Sequence, residues 1–258
     1  MSVDTSALAR HPLWRRALAE FLGTGLLVTV IVGSGIAAQT LSTDPGLQLL
    51  ENAVATALGL GVLIVLFAPI SRAHFNPVVS LVDRALERPL TGRGVRDLVA
   101  YLSAQVVGAI GGAILANAMF ATPTRIAGID RATAATILAE CVATAGLVLL
   151  VFGLSRTGRS IPVVATGVGA YIGAAYWFTS STSFANPAVT IGRIFTDTFA
   201  GIAPASAVAF LGAQLLGAAI GAALTVALFP RSGVLGGPPS APPSTEDDDR
   251  IPVRRDRS

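Results

Sequence analysis

The chain contains no lysine, and all 18 of its basic residues are arginine. Its 258 residues include one cysteine, two histidines and only 13% charged side chains. Each shortage excludes something. One cysteine allows no intrachain disulfide framework, and Cys141, inside an apolar run, reads as packing. Two histidines and no paired carboxylates at one membrane depth form neither a catalytic constellation nor a metal-ligand set, so no enzyme, cofactor or metal site is expected. The arginines are not interleaved with aromatics and the net charge is a modest +3, so no nucleic-acid partner is expected. A soluble domain carries about 25% charged residues. A far lower level, with 52% hydrophobic residues and a mean hydropathy of +0.68, indicates a membrane protein in contact with a lipid bilayer.

Six apolar runs are long enough to span: approximately 13–38, 47–69, 95–120, 132–154, 161–179 and 202–229. The first is too long for a signal-peptide core and lacks an A-x-A site. Two short segments remain, 76–86 and 186 to about 199, each opening on an Asn-Pro box. These boxes, Asn76-Pro77-Val78 and Asn186-Pro187-Ala188, stand 110 positions apart. The chain divides into a cytoplasmic N-terminus (1–12), a membrane domain (13–230) with repeats at about 13–120 and 132–229, and a Pro- and acid-rich tail (231–258) that reads as a disordered cytoplasmic extension.

The two halves repeat in order. Ala19-Glu20 is echoed by Ala139-Glu140, and Gln105 with Gly108 and Gly112 by Gln214 with Gly217 and Gly221. Three spans per half is an odd number, so the second copy enters the membrane from the opposite face. The expected fold is an all-α membrane protein of six transmembrane helices plus two re-entrant half-helices in an inverted repeat. An orientation with both termini cytoplasmic leaves only Arg125, Arg131 and Arg193 outside, which the positive-inside rule favours. The small residues at Gly108/Gly112, Gly217/Gly221 and Gly169/Gly173 allow close helix contact.

Proline suits the first turn of a helix, and the asparagine before it caps that end. Two half-helices starting at mid-depth therefore point positive dipole ends at one constriction, which opposes cations. Glu20 and Glu140, inside apolar spans, need partners; the irregular backbone leading into each half-helix supplies donors. A proton relay is the other reading of this pair. His74 is placed to tie down the loop before Asn76.

Glu20, the stretch Ser71–Ser80 with its Asn-Pro-Val box, Gln105 with Gly108, Glu140, Asn186-Pro187-Ala188 and Gln214 with Gly217 resemble the major intrinsic protein family of aquaporins and aquaglyceroporins over about residues 15–230. The resemblance implies a right-handed bundle and a plasma-membrane homotetramer with one pore per subunit. It assigns Glu20, Glu140, His74, Gln105 and Gln214 as structural support. Two departures stand out. Val78 replaces the usual Ala, and Val189 stands where most of the family carries a filter Arg. Spacing from the asparagines implies Thr56, about Ala174, and Ser183 as the other filter positions, none of them bulky. The stretch 176–190 resembles bacterial channels associated with arsenic resistance, implying neutral metalloid hydroxides such as arsenite as cargo. Arg193, one turn beyond Val189, is expected in the outer vestibule; the other reading is that it reaches back as a substitute filter charge.

These features point to a passive channel for water and small neutral solutes with a wide, Arg-free filter. A proton-coupled secondary carrier, also built from broken helices in inverted repeats, is the alternative. A non-conducting membrane scaffold is a third.

Overall fold

A computed structural model of the chain describes residues 11–87 and 92–230, without the side chains of 87, 92 and 93. The expected tail, and all but the last two residues of the expected N-terminal segment, lie outside the described residues. The described residues contain helices and no strands. Six are long and apolar enough to span: α1 (Leu13–Leu41), α2 (Pro45–Ser71), α4 (Gly92–Met119), α5 (Ala134–Arg156), α6 (Ile161–Phe178) and α8 (Pro204–Leu228). The short ones are α3 (Pro77–Glu87) and α7 (Pro187–Gly192), the latter continued by a 3-10 turn, Arg193–Phe195.

Local chemistry sets the boundaries. Asp44 caps α2 by accepting from the Leu47 N–H at 2.9 Å, with Pro45 in the first turn. Thr133 and Thr136 form a reciprocal capping box at the start of α5. The second half-helix is shorter than the expected 186–199. Asn117 on α4 donates to the Phe195 carbonyl at 2.9 Å and accepts from the Thr196 hydroxyl at 2.8 Å. The Ile202 N–H reaches back to the Arg193 carbonyl. These bonds turn the chain before another helical turn can form.

Glycines bring the long helices together. A Cβ on Gly108 or Gly112 would overlap the carbonyl oxygens of Phe21 and Gly25, so α4 lies backbone-to-backbone on α1. Gly217 and Gly221 meet the carbonyls of Cys141 and Ala145 in the same way, joining α8 to α5. Gly169 packs on Ala57, joining α6 to α2 across the two halves. In α1 56% of the apolar window is buried, against 28–39% in the other spans, so α1 runs through the interior. Side chains such as Leu58, Val62 and Val208 point outward, as a lipid-facing surface requires.

Candidate functional site: a polar meeting point between two half-helices

The two half-helices begin beside one another. Asn76 Nδ2 donates to the Ala185 carbonyl and Asn186 Nδ2 donates to the Phe75 carbonyl, both at 2.8 Å. Each asparagine also caps its own helix. Asn76 Oδ1 accepts from the Val78 N–H at 3.1 Å, and Asn186 Oδ1 accepts from Ala188 and Val189 at 3.0 and 3.3 Å. One amide N–H is thus tied to the opposite repeat, leaving the second as a donor toward the cavity that both residues border. The prolines Pro77 and Pro187 occupy the first helical positions, where no N–H is required.

The loops leading to this junction are strained and held by buried carboxylates. Arg72, Ala73 and Phe75 have φ of 76°, 51° and 48°, and their counterparts Thr182, Ser183 and Ala185 have 60°, 49° and 46°. None is glycine, so each costs on the order of 1–2 kcal/mol. Glu20, fully buried, accepts from the Ser71 hydroxyl (2.6 Å), the His74 and Phe75 N–H groups (3.0 and 2.7 Å) and Gln105 Nε2 (2.7 Å). Glu140 repeats the pattern with Ser181 (2.7 Å), Phe184 and Ala185 N–H (2.8 and 2.9 Å) and Gln214 (2.7 Å). Such charge-assisted bonds offset both the strain and the burial of the carboxylate. Gln105 and Gln214 also donate to Ser80 and Thr190 on the half-helices, at 3.0 and 2.9 Å. His74 Nδ1 lies 3.0 Å from Ser80 Oγ, its ring edge-on to Tyr101.

A cavity of about 100 Å³ lies at this junction, bordered by both asparagines. Aliphatic side chains of α1, α2, α5 and α6 form a large part of its wall, among them Leu27, Ile64, Leu147 and Val168. Thr56, Ser183 and Val189 border it; Val78 is buried away from the lining. Ala174 does not border it. That residue is exposed on the outer face of α6, and Tyr176 takes the inward place, its hydroxyl 3.1 Å from Thr56 Oγ1. The expectation of an outer ring without a bulky side chain is therefore corrected. The inward residues Val168, Ile172 and Tyr176 follow the helical period, a signal that spacing from Asn186 across an irregular loop overrode.

Arg193 also departs from its expected place. It is 2% exposed and borders the same cavity as Val189 and Tyr176. Its guanidinium lies 3.4 Å from the Phe184 ring centroid, and its Nε donates to the Ala200 carbonyl. The rise per residue locates a Cα, and an arginine side chain can reach back over a helical turn. Arg131 approaches the same ring at 5.6 Å and donates to the Gly201 and Phe199 carbonyls. At the other end of the cavity Arg72 is paired with Asp83 at 2.6 Å. Among the described residues no group of His, Cys, Asp and Glu is arranged to hold a metal ion.

Six spans, two abutting half-helices and a lumen between them define a multi-pass membrane protein of the channel class. The sequence profile of the major intrinsic protein family matches residues 7–179, and the chain belongs to that family, whose members are channels rather than enzymes. It is similar to the aquaglyceroporin AqpS of Rhizobium meliloti, at 50% identity over 214 residues covering 82% of this chain and 89% of the relative. Aquaporin-2 of Rattus norvegicus is 35% identical over 60% of this chain and 57% of its own length. The glycerol uptake facilitator protein of Pseudomonas aeruginosa is 33% identical over 46% and 40%. The fold matches the X-ray structure of the aquaglyceroporin from Plasmodium falciparum with a TM-score of 0.64, covering 83% of this chain and 95% of that one at 20% identity.

Proposed function

We propose that the protein is a passive pore for water and small uncharged solutes of glycerol size, with neutral metalloid hydroxides such as arsenite in the same size and charge class. The observation that carries this reading is the reciprocal pair of asparagine bonds beside a mostly aliphatic cavity. Such a wall gives an ion nothing to replace its hydration, while the two N-terminal dipoles oppose cations. A neutral solute or water can take the free asparagine N–H in passing. Similarity to an aquaglyceroporin at 50% identity supports the polyol assignment. The proposed outer ring is Thr56, Tyr176, Ser183 and Val189, narrower than one built on Ala174.

The carrier alternative loses its motive. Glu20 and Glu140 are each committed to four hydrogen bonds, fully buried, and absent from the cavity wall. A relay carboxylate must exchange protons with the lumen. The proposed assembly is a homotetramer in the cell membrane, with both termini on the cytoplasmic side, the orientation that the arginine distribution favours.

The test is stopped-flow swelling of proteoliposomes with water, glycerol, urea and arsenite at pH 7. Flux proportional to the solute gradient and indifferent to an imposed proton gradient is expected. Saturating, proton-driven flux would instead establish the carrier.

A further inference from the structure

Equivalent positions on the two half-helices carry different chemistry. Counting from Asn76 and Asn186, the third residue is valine in both, Val79 and Val189, and both border the lumen. The seventh is Asp83 in the first repeat and Arg193 in the second. Asp83 pairs with Arg72. Arg193 forms no ion pair among the described residues, and neither of its terminal nitrogens hydrogen-bonds to a described residue. A buried cation without an ion pair is costly; Glu140 acts on this one only from beyond ion-pair distance, and its place is fixed by Nε bonding Ala200 and by the guanidinium lying over Phe184, itself braced edge-on by Phe210 at 5.3 Å. Arg193 lines the lumen together with Tyr176 and Val189, and its terminal N–H groups are its remaining donors.

We infer that Arg193 is the specificity-determining cation of the outer constriction, acting from the seventh position of the half-helix where the third is apolar. It repels cations by charge and offers its free N–H groups to the oxygens of neutral hydroxylated solutes. Val189 leaves the adjoining wall apolar, suited to the carbon face of such a solute. The inference rests on the channel reading above and names a selectivity element within it.

The test compares wild type with Arg193→Val, Arg193→Lys and the double variant Val189→Arg/Arg193→Val in proteoliposomes. Methylammonium permeability and the glycerol-to-urea flux ratio are read by stopped flow. Arg193→Val is expected to raise methylammonium permeability about tenfold or more. Arg193→Lys should keep cations out but alter the glycerol-to-urea ratio, because the ammonium lacks the planar fork. The double variant should restore cation exclusion. Wild-type selectivity in Arg193→Val would overturn the assignment while leaving the channel intact; a wild type without any solute flux would remove the channel reading itself. Should Arg193→Val fail to fold, a cryo-EM map of the wild type in glycerol decides. Ordered oxygen density within hydrogen-bond distance of the Arg193 terminal nitrogens supports the inference, and a guanidinium turned out of the lumen contradicts it.

Discussion

Arg72 and Asp83 face each other at 2.6 Å at one end of the cavity, whereas at the other Arg193 lies against an aromatic ring with no carboxylate beside it. The carboxylate supports beneath that difference are duplicated. Ser71 and Ser181, Phe75 and Ala185, and Gln105 and Gln214 donate to Glu20 and Glu140 over nearly the same distances. The duplicated parts answer a backbone problem, namely strained, buried loops whose N–H groups need acceptors. Charge at the seventh position is not part of that solution. It can differ between halves, giving a neutralised end beside the first half-helix and a cationic end beside the second.

The largest effects should come from breaking the duplicated scaffold. Glu20→Gln and Glu140→Gln each turn an amide group toward N–H donors and should cost about 3–5 kcal/mol, read as a large and similar drop in the melting temperature of the purified protein. A drop confined to one variant would break the equivalence of the repeats.

Next come the capping asparagines. Asn186→Asp and Asn76→Asp place a negative charge where two dipole ends converge. Both should admit cations, with the larger leak from Asn76→Asp, because Asn186 caps the half-helix that ends at Arg193. Planar-bilayer currents measure this; folded variants with no current would discredit the dipole barrier.

Smaller again is Val189→Arg compared with Val79→Arg. Two guanidinium groups would crowd the outer end, so glycerol flux should fall about tenfold more than water flux, and Val79→Arg should do less beside the existing ion pair. Equal discrimination in both swelling assays would remove the asymmetry.

The smallest effect lies in the loop before α5. Asp130, fully exposed, accepts from the Ser206 hydroxyl and the Ala132 N–H, which hold its carboxyl below its ordinary 3.8. A depressed folded-state value stabilises the protein above that ordinary value, and the contribution fades as pH falls through the folded one. Ser206→Ala should therefore flatten the acid end of the melting-temperature profile and leave pH 7 selectivity unchanged.

Much of this was legible in the residues. The spans, both Asn-Pro boxes and the loop-backbone donors to Glu20 and Glu140 follow from apolar run length, cap chemistry and the need to satisfy buried carboxylates, whereas the bonds from Gln105 and Gln214 to those carboxylates are seen only in the structure. The left-handed loop residues carried no such signal, because Arg72, Ala73 and Phe75 take a conformation that propensity reserves for glycine. Counting back from Asn186 placed Ala174 at the pore because the turn between α6 and α7 does not advance at a helical rise. Arg193 was misplaced for a different reason. Sequence position locates a backbone, while the reach and stacking of a long side chain are settled by its neighbours, here Phe184 and Ala200.

Glycerol entry into wild-type proteoliposomes, measured at zero and at −100 mV across the membrane, bears most directly on the central claim. That potential biases each moving elementary charge by about 2.3 kcal/mol. A neutral pore predicts identical glycerol rates at both voltages and no accompanying sodium or proton current. A rate that shifts with voltage, or glycerol entry that carries current, would contradict it.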